Sequence, residues 1–218
     1  MENTLGNTRT FHLSYLELRR AIGILGITLP IVLSLGALIL FQTGIQNSIS
    51  SYYHTGMRDV FVGSFGAIGL FLLSYKGYER RDDIAGNLAC MFAIGVALFP
   101  TTADSATTNG ARLIGYVHLA FATLFFLTII YFSLFLFTRT DPNKSPSKRK
   151  LLRNKVYKAC GYAMGICMLF IVIYFLLPGE TGAVFKEYKP VYWLESLADF
   201  AFGIAWAVKG EALLKDEE

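Results

Sequence analysis

Residues 21–42 read AIGILGITLPIVLSLGALILFQ, an uncharged run of about 22 residues. The hydrocarbon core of a bilayer is about 30 Å thick, and a helix needs roughly 20 apolar residues to cross it. A cleavable signal peptide has a shorter apolar core followed by a small-x-small cleavage signal, and we find no such signal directly after residue 42. The run therefore predicts a membrane span that the protein retains.

The rest of the composition is also typical of a membrane protein. Of the 218 residues, 54% are hydrophobic and 17% are charged, whereas soluble domains carry about 25% charged residues. Mean hydropathy is +0.46. The predicted spans, six in all, are residues 21–42, 59–75, 84–101, 113–137, 159–177 and 191–208. The sequence thus predicts an all-α polytopic membrane protein whose six transmembrane helices form one bundle.

The positions of lysine and arginine predict the orientation of these spans. With the N-terminus in the cytoplasm, sixteen of the 20 Lys and Arg residues fall in cytoplasmic segments and four fall outside. We therefore predict a multi-pass protein of the inner (plasma) membrane with both termini in the cytoplasm. Its parts are a cytoplasmic N-terminal segment (1–20), a transmembrane domain (21–208) with a basic cytoplasmic loop inside it (139–158), and a cytoplasmic tail (209–218). The net charge of +4 follows from this topology and gives no reason to expect a nucleic-acid partner.

The connection between the first two spans is dense in groups that can do chemistry. Residues 47–59 read NSISSYYHTGMRD and lie on the outer face in this topology. They include Ser50, Tyr53, His54, Arg58 and Asp59, and Ser50 precedes His54 by four residues. We expect this connection to form a functional site together with the residues that it meets on other spans.

Ionisable side chains also occur in the outer half of the predicted spans. Glu195 and Asp199 are four residues apart, so they lie on one helix face, and Asp199 is near the middle of its span. His118 lies about two turns below the outer surface, and Asp104 lies in the outer connection before it. Such groups cost about 2.5–3.5 kcal/mol at the bilayer centre on insertion scales and usually face an interior cavity. We therefore expect one outward-facing cavity at which they converge.

This set of side chains predicts a metal-assisted hydrolase of a lipid amide or ester. Imidazole and carboxylate groups suit zinc, and an open coordination position would hold an activated water. The predicted catalytic residues are Ser50, Asp59 and Asp199. The predicted metal ligands are His54, His118, Glu195 and Asp199, and the predicted substrate or gating residues are Tyr53, Arg58, Asp104 and Trp193. The expected partners are membrane lipids and a lipid or small-molecule substrate in the cavity.

Two other interpretations stay open. In the first, the polar residues form a structural knot that fixes helix register: Arg58 pairs with Asp199 or Glu195, and His118 donates to Asp59. The protein would then bind a lipid or a partner without catalysis. In the second, the cavity belongs to a small-solute transporter. Many transporters show an internal repeat with interrupted helices, and we find no convincing repeat between the two halves of this sequence.

The polar positions resemble those of alkaline ceramidases, adiponectin-receptor-like proteins and their bacterial relatives. The resemblance rests on Ser50 and His54 after one span, Asp59 on the next, and a pair of residues four apart on the last span. Members of that superfamily are membrane hydrolases with a serine, three histidines and an aspartate around zinc, so the resemblance implies a zinc hydrolase. In this chain Glu195 and Asp199 stand where the superfamily has two histidines, and the predicted spans number six instead of seven. The order of the spans also resembles the uncharacterised bacterial six-helix membrane proteins related to the Frag1/DRAM group, which have no clear enzymatic site.

Glycines in the second predicted span recur at helical spacing. Gly63, Gly66 and Gly69 lie three residues apart, and small residues at such spacing allow two membrane helices to approach closely. We expect this stripe to face a neighbouring helix.

Overall fold

The computed structural model describes residues 14–77, 79–103, 105, 107–140 and 145–215. Within these residues the chain is helical and contains no β-strand, so the all-α prediction is confirmed. The α-helices are α1 (Tyr15–Phe41), α2 (Arg58–Leu73), α3 (Arg80–Leu98), α4 (Asn109–Tyr131), α5 (Lys148–Leu176), α6 (Gly179–Lys186) and α7 (Pro190–Lys209). A short 3-10 helix covers Ser50–His54, and a π-helical turn at Phe132–Leu136 continues α4.

The first helix begins at a capping box. The Ser14 hydroxyl accepts a hydrogen bond from the Glu17 N–H at 3.2 Å, and the Glu17 carboxylate accepts one from the Ser14 N–H at 2.7 Å. Two of the N–H groups that every helix start leaves unpaired are thereby satisfied. Residues 15–20 of the predicted cytoplasmic segment are consequently the first turns of α1, and residues 1–13 of that segment lie outside the described part of the chain.

Six of the helices form a closed ring in chain order. α1 packs on α2, α2 on α3, α3 on α4, α4 on α5 and α5 on α7, and α7 closes the ring by packing on α1. We call the end at which α2, α4 and α7 begin the distal end, and the end at which they finish the proximal end. The short helix α6 lies in the distal connection between α5 and α7, where the sequence predicted only a loop.

The helices α1 and α7 meet through their backbones. A Cβ atom added at Gly23 would lie 2.6 Å from the backbone nitrogen of Ala207, and one added at Gly203 would lie 2.6 Å from the backbone nitrogen of Ile27. Real Cβ atoms do not approach other atoms so closely. Dispersion between these close surfaces replaces the hydrophobic effect that lipid cannot supply.

The glycine stripe predicted on α2 does not make such a contact. A Cβ atom at Gly63 or Gly66 would meet no atom within 4 Å, and only Gly69 packs against a neighbour, Ile94 of α3 at 3.2 Å. The expectation of a close helix approach is therefore wrong for the first two positions. Spacing alone could not reveal which helix face looks inward.

The proximal end is closed by aromatic and basic side chains. Trp206 packs against the rings of Tyr75, Phe132 and Phe137, with centroids between 5.1 and 5.5 Å apart. Arg20 Nε donates to the Gly210 carbonyl at 2.7 Å, and Arg153 Nε donates to the Leu214 carbonyl at 2.8 Å. These bonds hold residues 210–215 of the predicted tail against the bundle.

The basic segment 139–158 was predicted as a loop, and the structure corrects part of it. Ser147 caps α5 by accepting a hydrogen bond from the Lys150 N–H at 3.1 Å, and residues 148–158 are helical. Charged residues extend the helix beyond its apolar part, and hydropathy does not detect such an extension. Residues 141–144 lie outside the described part of the chain.

Within the described residues, four helical segments are long and apolar enough to cross a membrane. They are Tyr15–Phe41, Asn109–Leu136, Lys148–Leu176 and Pro190–Lys209. The helix α2 has 16 residues, and the first turn of α3 carries Asp82 and Asp83. At 1.5 Å per residue, α2 is about 24 Å long. The membrane character of the chain is thus confirmed for four of the predicted spans.

Candidate functional site

A cavity of about 90 Å³ lies at the distal end of the bundle. Its polar wall comes from the connection after α1, from the connection after α3, and from α4 and α7. The polar residues are Ser48, Ser50, Thr101, His118, Thr123 and Glu195. Its apolar wall comes mainly from α4 and α5 and includes Leu119, Phe126, Met168 and Phe175. The structure therefore brings together three residues of the predicted site, namely Ser50, His118 and Glu195.

His118 occupies the tenth position of α4 and is buried, with 2% of its surface exposed. Its Nδ1 lies 2.6 Å from the carbonyl oxygen of Phe99, and this oxygen can only accept a hydrogen bond. Nδ1 therefore carries a hydrogen, so the neutral ring presents an unprotonated Nε2. That Nε2 is buried and has no partner among the described residues. A base is thus held in a fixed tautomer beside a polar cavity.

Glu195 reaches the cavity from the second turn of α7. Its Oε2 accepts a hydrogen bond of 2.6 Å from the Ile49 N–H, and the adjacent Ser50 N–H also acts on this carboxylate. This contact connects α7 to the 3-10 helix that contains Ser50, one of the predicted catalytic residues. The cavity therefore presents two acceptors, the Glu195 carboxylate and the His118 Nε2, which together suit a ligand that carries hydrogen-bond donors.

Asp199 lies one turn deeper on α7 and does not line the cavity. Only 4% of its surface is exposed. Glu195 is its charged neighbour, and no described residue donates a hydrogen bond to it or pairs with it. The face shared by the two carboxylates is as predicted, but they sit in different surroundings. Asp199 is a buried acid without a partner, while Glu195 is held by backbone.

His54 is exposed and is not among the residues that line the cavity. Its Nε2 is 2.7 Å from the carbonyl oxygen of Thr101, one of the cavity residues. Since His118 contacts the carbonyl of Phe99, the two histidines hold neighbouring carbonyls of the same connection after α3. This arrangement gives both rings a structural role, and the buried His118 Nε2 is left without a partner among the described residues.

A chain of hydroxyl groups next to the site was not foreseen from the sequence. The Ser34 and Tyr192 hydroxyls are hydrogen-bonded, and the Tyr52 hydroxyl donates to the Ser34 oxygen at 3.3 Å. Burial raises the pKa of Tyr52 above its ordinary value, so it stays a neutral donor. Ser34 lies one turn after Pro30, and its hydroxyl also donates to the Pro30 carbonyl at 2.7 Å.

Several predicted site residues lie elsewhere. Arg58 is exposed, donates to the Tyr53 hydroxyl at 3.0 Å, and places its guanidinium 4.7 Å from the centre of that ring. Asp59 is exposed, and the Trp193 side chain, 57% exposed, packs on Tyr192 with centroids 4.9 Å apart. Asp104 lies outside the described residues.

The structural knot has different partners from those expected. Arg58 pairs with neither Glu195 nor Asp199, and His118 donates to the Phe99 carbonyl instead of Asp59. The physical reason is position: Arg58 and Asp59 begin α2 on its exposed side. Neither side chain points into the bundle from there.

The predicted zinc ligands do not converge. Among the described residues, no group of three or more histidine, cysteine, aspartate or glutamate side chains is arranged to hold a metal ion. His118 and Glu195 share the cavity, but His54 points its Nε2 at a carbonyl and Asp199 lies deeper in α7. The residues present therefore do not fit a four-ligand centre.

A scan with models of known protein families, a comparison with curated proteins and a comparison with solved structures each gave no match.

Proposed function

We propose that this protein is an integral membrane hydrolase that cleaves a lipid ester or amide in the distal cavity. The observation that supports this activity best is the tautomer of His118, whose unprotonated and unpartnered Nε2 is buried beside Ser50 and Glu195. A base whose other nitrogen is oriented by a fixed acceptor is the usual arrangement for general-base chemistry.

The proposed reaction uses water as the nucleophile. His118 Nε2 removes a proton from a water molecule, and the oxygen of that water attacks the carbonyl carbon of the lipid. When the bond to the alcohol or amine breaks, the imidazolium returns the proton to this leaving group. Ser50 orients the water or the carbonyl, and Glu195 stabilises the imidazolium from across the cavity.

The walls of the cavity favour a lipid as the substrate. Leu119 and Phe175 line the cavity, and 47% and 60% of their surfaces are exposed on the outside of the bundle. The seam between α4 and α5 therefore joins the cavity to the face that lipid covers. An acyl chain can lie along this seam while its carbonyl reaches His118.

The membrane arrangement that we propose has six spans, with both termini in the cytoplasm of a cell with an inner (plasma) membrane. α2 and α3 sit in the ring between helices that are long and apolar enough to cross the bilayer. The distribution of lysine and arginine places the distal end outside. The cavity then opens in the outer half of the bilayer.

The decisive experiment replaces His118 by asparagine. The asparagine amide can still donate to the Phe99 carbonyl, but it provides no group at the position of Nε2. Protein in detergent is incubated with a fluorescent phospholipid ester and a fluorescent N-acyl lipid amide, and the released fatty acid is measured. We expect H118N to reduce the rate about 10²–10⁴-fold, the range that general-base catalysis contributes, while the melting temperature stays close to that of the parent protein.

Zinc is tested in the same preparations by elemental analysis before and after chelation. The matched variant is His54→Gln, which keeps an N–H aimed at the Thr101 carbonyl. If H54Q and H118N each lose bound zinc and activity, the two rings share a metal centre. If the protein hydrolyses the lipids without metal and only H118N is inactive, the result supports attack by a water molecule that His118 activates.

If the protein hydrolyses none of the esters and amides, the proposed hydrolase activity is contradicted.

A non-catalytic lipid-binding protein is the second candidate. It is favoured by the two histidine contacts to the connection after α3, because they give both rings a structural role. In that case H118N binds a fluorescent lipid as well as the parent does, and neither protein hydrolyses it.

A further inference from the structure

A second feature lies on the outside of the bundle, far from the distal cavity. A groove of about 380 Å³ runs between α3 and α4 near the start of α3. Its walls are mainly aliphatic: Ile84, Leu88, Leu124 and Leu127 are between 39% and 52% exposed. Thr128 and Tyr131 also line the groove, and the Thr128 hydroxyl is bonded to the Leu124 carbonyl at 2.8 Å. The walls therefore offer an apolar ligand a mainly apolar surface.

One end of the groove carries a positive charge. Arg81 lines it, and this side chain forms no ion pair or hydrogen bond with any described residue. The residue is exposed. Since α4 is long and apolar enough to cross a membrane, its neighbour in the groove region is lipid. An unpaired guanidinium at the edge of an apolar groove favours a ligand that is both anionic and apolar.

The acidic side chains near Arg81 pair with two other cations. Arg139 Nη1 lies 3.3 Å from Glu79 and 3.4 Å from Asp82, and Lys76 Nζ lies 3.7 Å from Asp83. These three acids are the carboxylates at the start of α3. Glu79 and Asp82 share Arg139, and Asp83 pairs with Lys76, so Arg81 takes part in none of these ion pairs. Among the described residues its charge is therefore left to a ligand.

We propose that this groove binds an anionic phospholipid, with one acyl chain between α3 and α4 and the phosphate on Arg81. From Arg81 to Leu88 the groove follows seven residues of helix, about 10 Å. This length fits within one leaflet, whose hydrocarbon layer is about 15 Å deep. Arginine presents a planar fork that matches a phosphate geometrically. In the proposed topology this is the cytoplasmic leaflet, but the charge and the groove do not depend on the hydrolase.

The test compares two neighbouring arginines. Arg80 precedes Arg81 on the same helix turn, is exposed and does not line the groove, so Arg80→Gln is the matched control for Arg81→Gln. Purified proteins are mixed with phosphatidylglycerol or phosphatidylcholine, and bound lipid is counted by native mass spectrometry. One basic residue near an anionic surface contributes about five-fold in affinity. We expect R81Q to lose about that preference for phosphatidylglycerol and R80Q to keep it.

A second variant tests the groove itself. Leu88→Trp fills the apolar wall, and we expect it to reduce the number of bound lipids of both kinds while the melting temperature of lipid-free protein is unchanged. Soluble glycerol phosphate, which has the headgroup without the chains, should not compete at concentrations equal to those of the lipid. Equal losses in R80Q and R81Q would mean diffuse charge attraction, and effective competition by glycerol phosphate would mean a headgroup site; either result overturns the proposal.

Discussion

Two buried aspartates in this bundle have opposite surroundings. Asp82 is 1% exposed, pairs with Arg139 at 3.4 Å and accepts a hydrogen bond from the Glu79 N–H at 3.0 Å. Asp199 is 4% exposed and has no cation or donor among the described residues. A buried carboxylate is costly unless it is paired and hydrogen-bonded. Asp82 therefore stabilises the fold, whereas Asp199 lowers its stability.

We predict that Asp199→Asn leaves the melting temperature in detergent unchanged or raises it. The change removes a charge and keeps nearly the same volume, and no arginine loses a partner. In Asp82→Asn, by contrast, Arg139 keeps only Glu79, and losing a hydrogen bond to a charged group costs about 1.5–3 kcal/mol. D82N should therefore melt at a clearly lower temperature. A large fall in the melting temperature of D199N would indicate that a cation pairs with Asp199, as the structural-knot interpretation requires.

Sequence reasoning could select these residues but not their partners. His118, Glu195 and Asp199 were selected because they are ionisable side chains deep within predicted spans. Two of them, His118 and Glu195, line the cavity. The carbonyls that hold the histidines come from the connection after α3, and no side-chain pattern encodes a backbone acceptor. The expected pairing of Arg58 with Asp199 failed for a related reason: which face of α2 turns inward depends on both neighbours in the ring.

At the scale of helices, α1 and α7 make a contact in which the two backbones approach closely. Backbone approaches backbone at Gly23 and Gly203, so the interface has no room for a side chain. The glycines of α2 offer a natural comparison, since Gly66 has open space around its Cα.

We predict that Gly203→Ala destabilises the protein and Gly66→Ala does not. The added methyl group at position 203 would lie 2.6 Å from the Ile27 nitrogen, so α1 must move away. Overpacking of this kind costs about 1–3 kcal/mol. Thermal unfolding followed by size-exclusion chromatography measures both variants against the parent. Equal melting temperatures for all three would show that the two helices can separate without cost.

The existence of the helices was easier to predict than their ends. Each of the predicted spans coincides with a helix, because long apolar runs cannot be satisfied otherwise in lipid. α5, however, begins at Lys148, eleven residues before its apolar part, and α6 was missed. An N-cap residue such as Ser147 determines where a helix begins, and a hydropathy profile does not detect it.

At the scale of the whole molecule, the topology can be tested directly. A reporter that works only in the cytoplasm should be active when it is fused after Glu218 and silent when it is placed at Thr107. The physical reason is the excess of lysine and arginine in the segments assigned to the cytoplasm. Both fusions must insert to similar levels, as judged by an antibody. Activity at Thr107 would place the distal cavity on the cytoplasmic side.

The closure of the ring by α7 also determines when the protein becomes complete during synthesis. The glycine face of α1 has its partner only after residues 42–209 have been synthesised, which takes roughly 8–34 s at 5–20 residues per second. Glu195 belongs to the same helix, so a nascent chain lacks both the contact between α1 and α7 and the complete distal cavity. Any polypeptide released early leaves the glycine face of α1 uncovered.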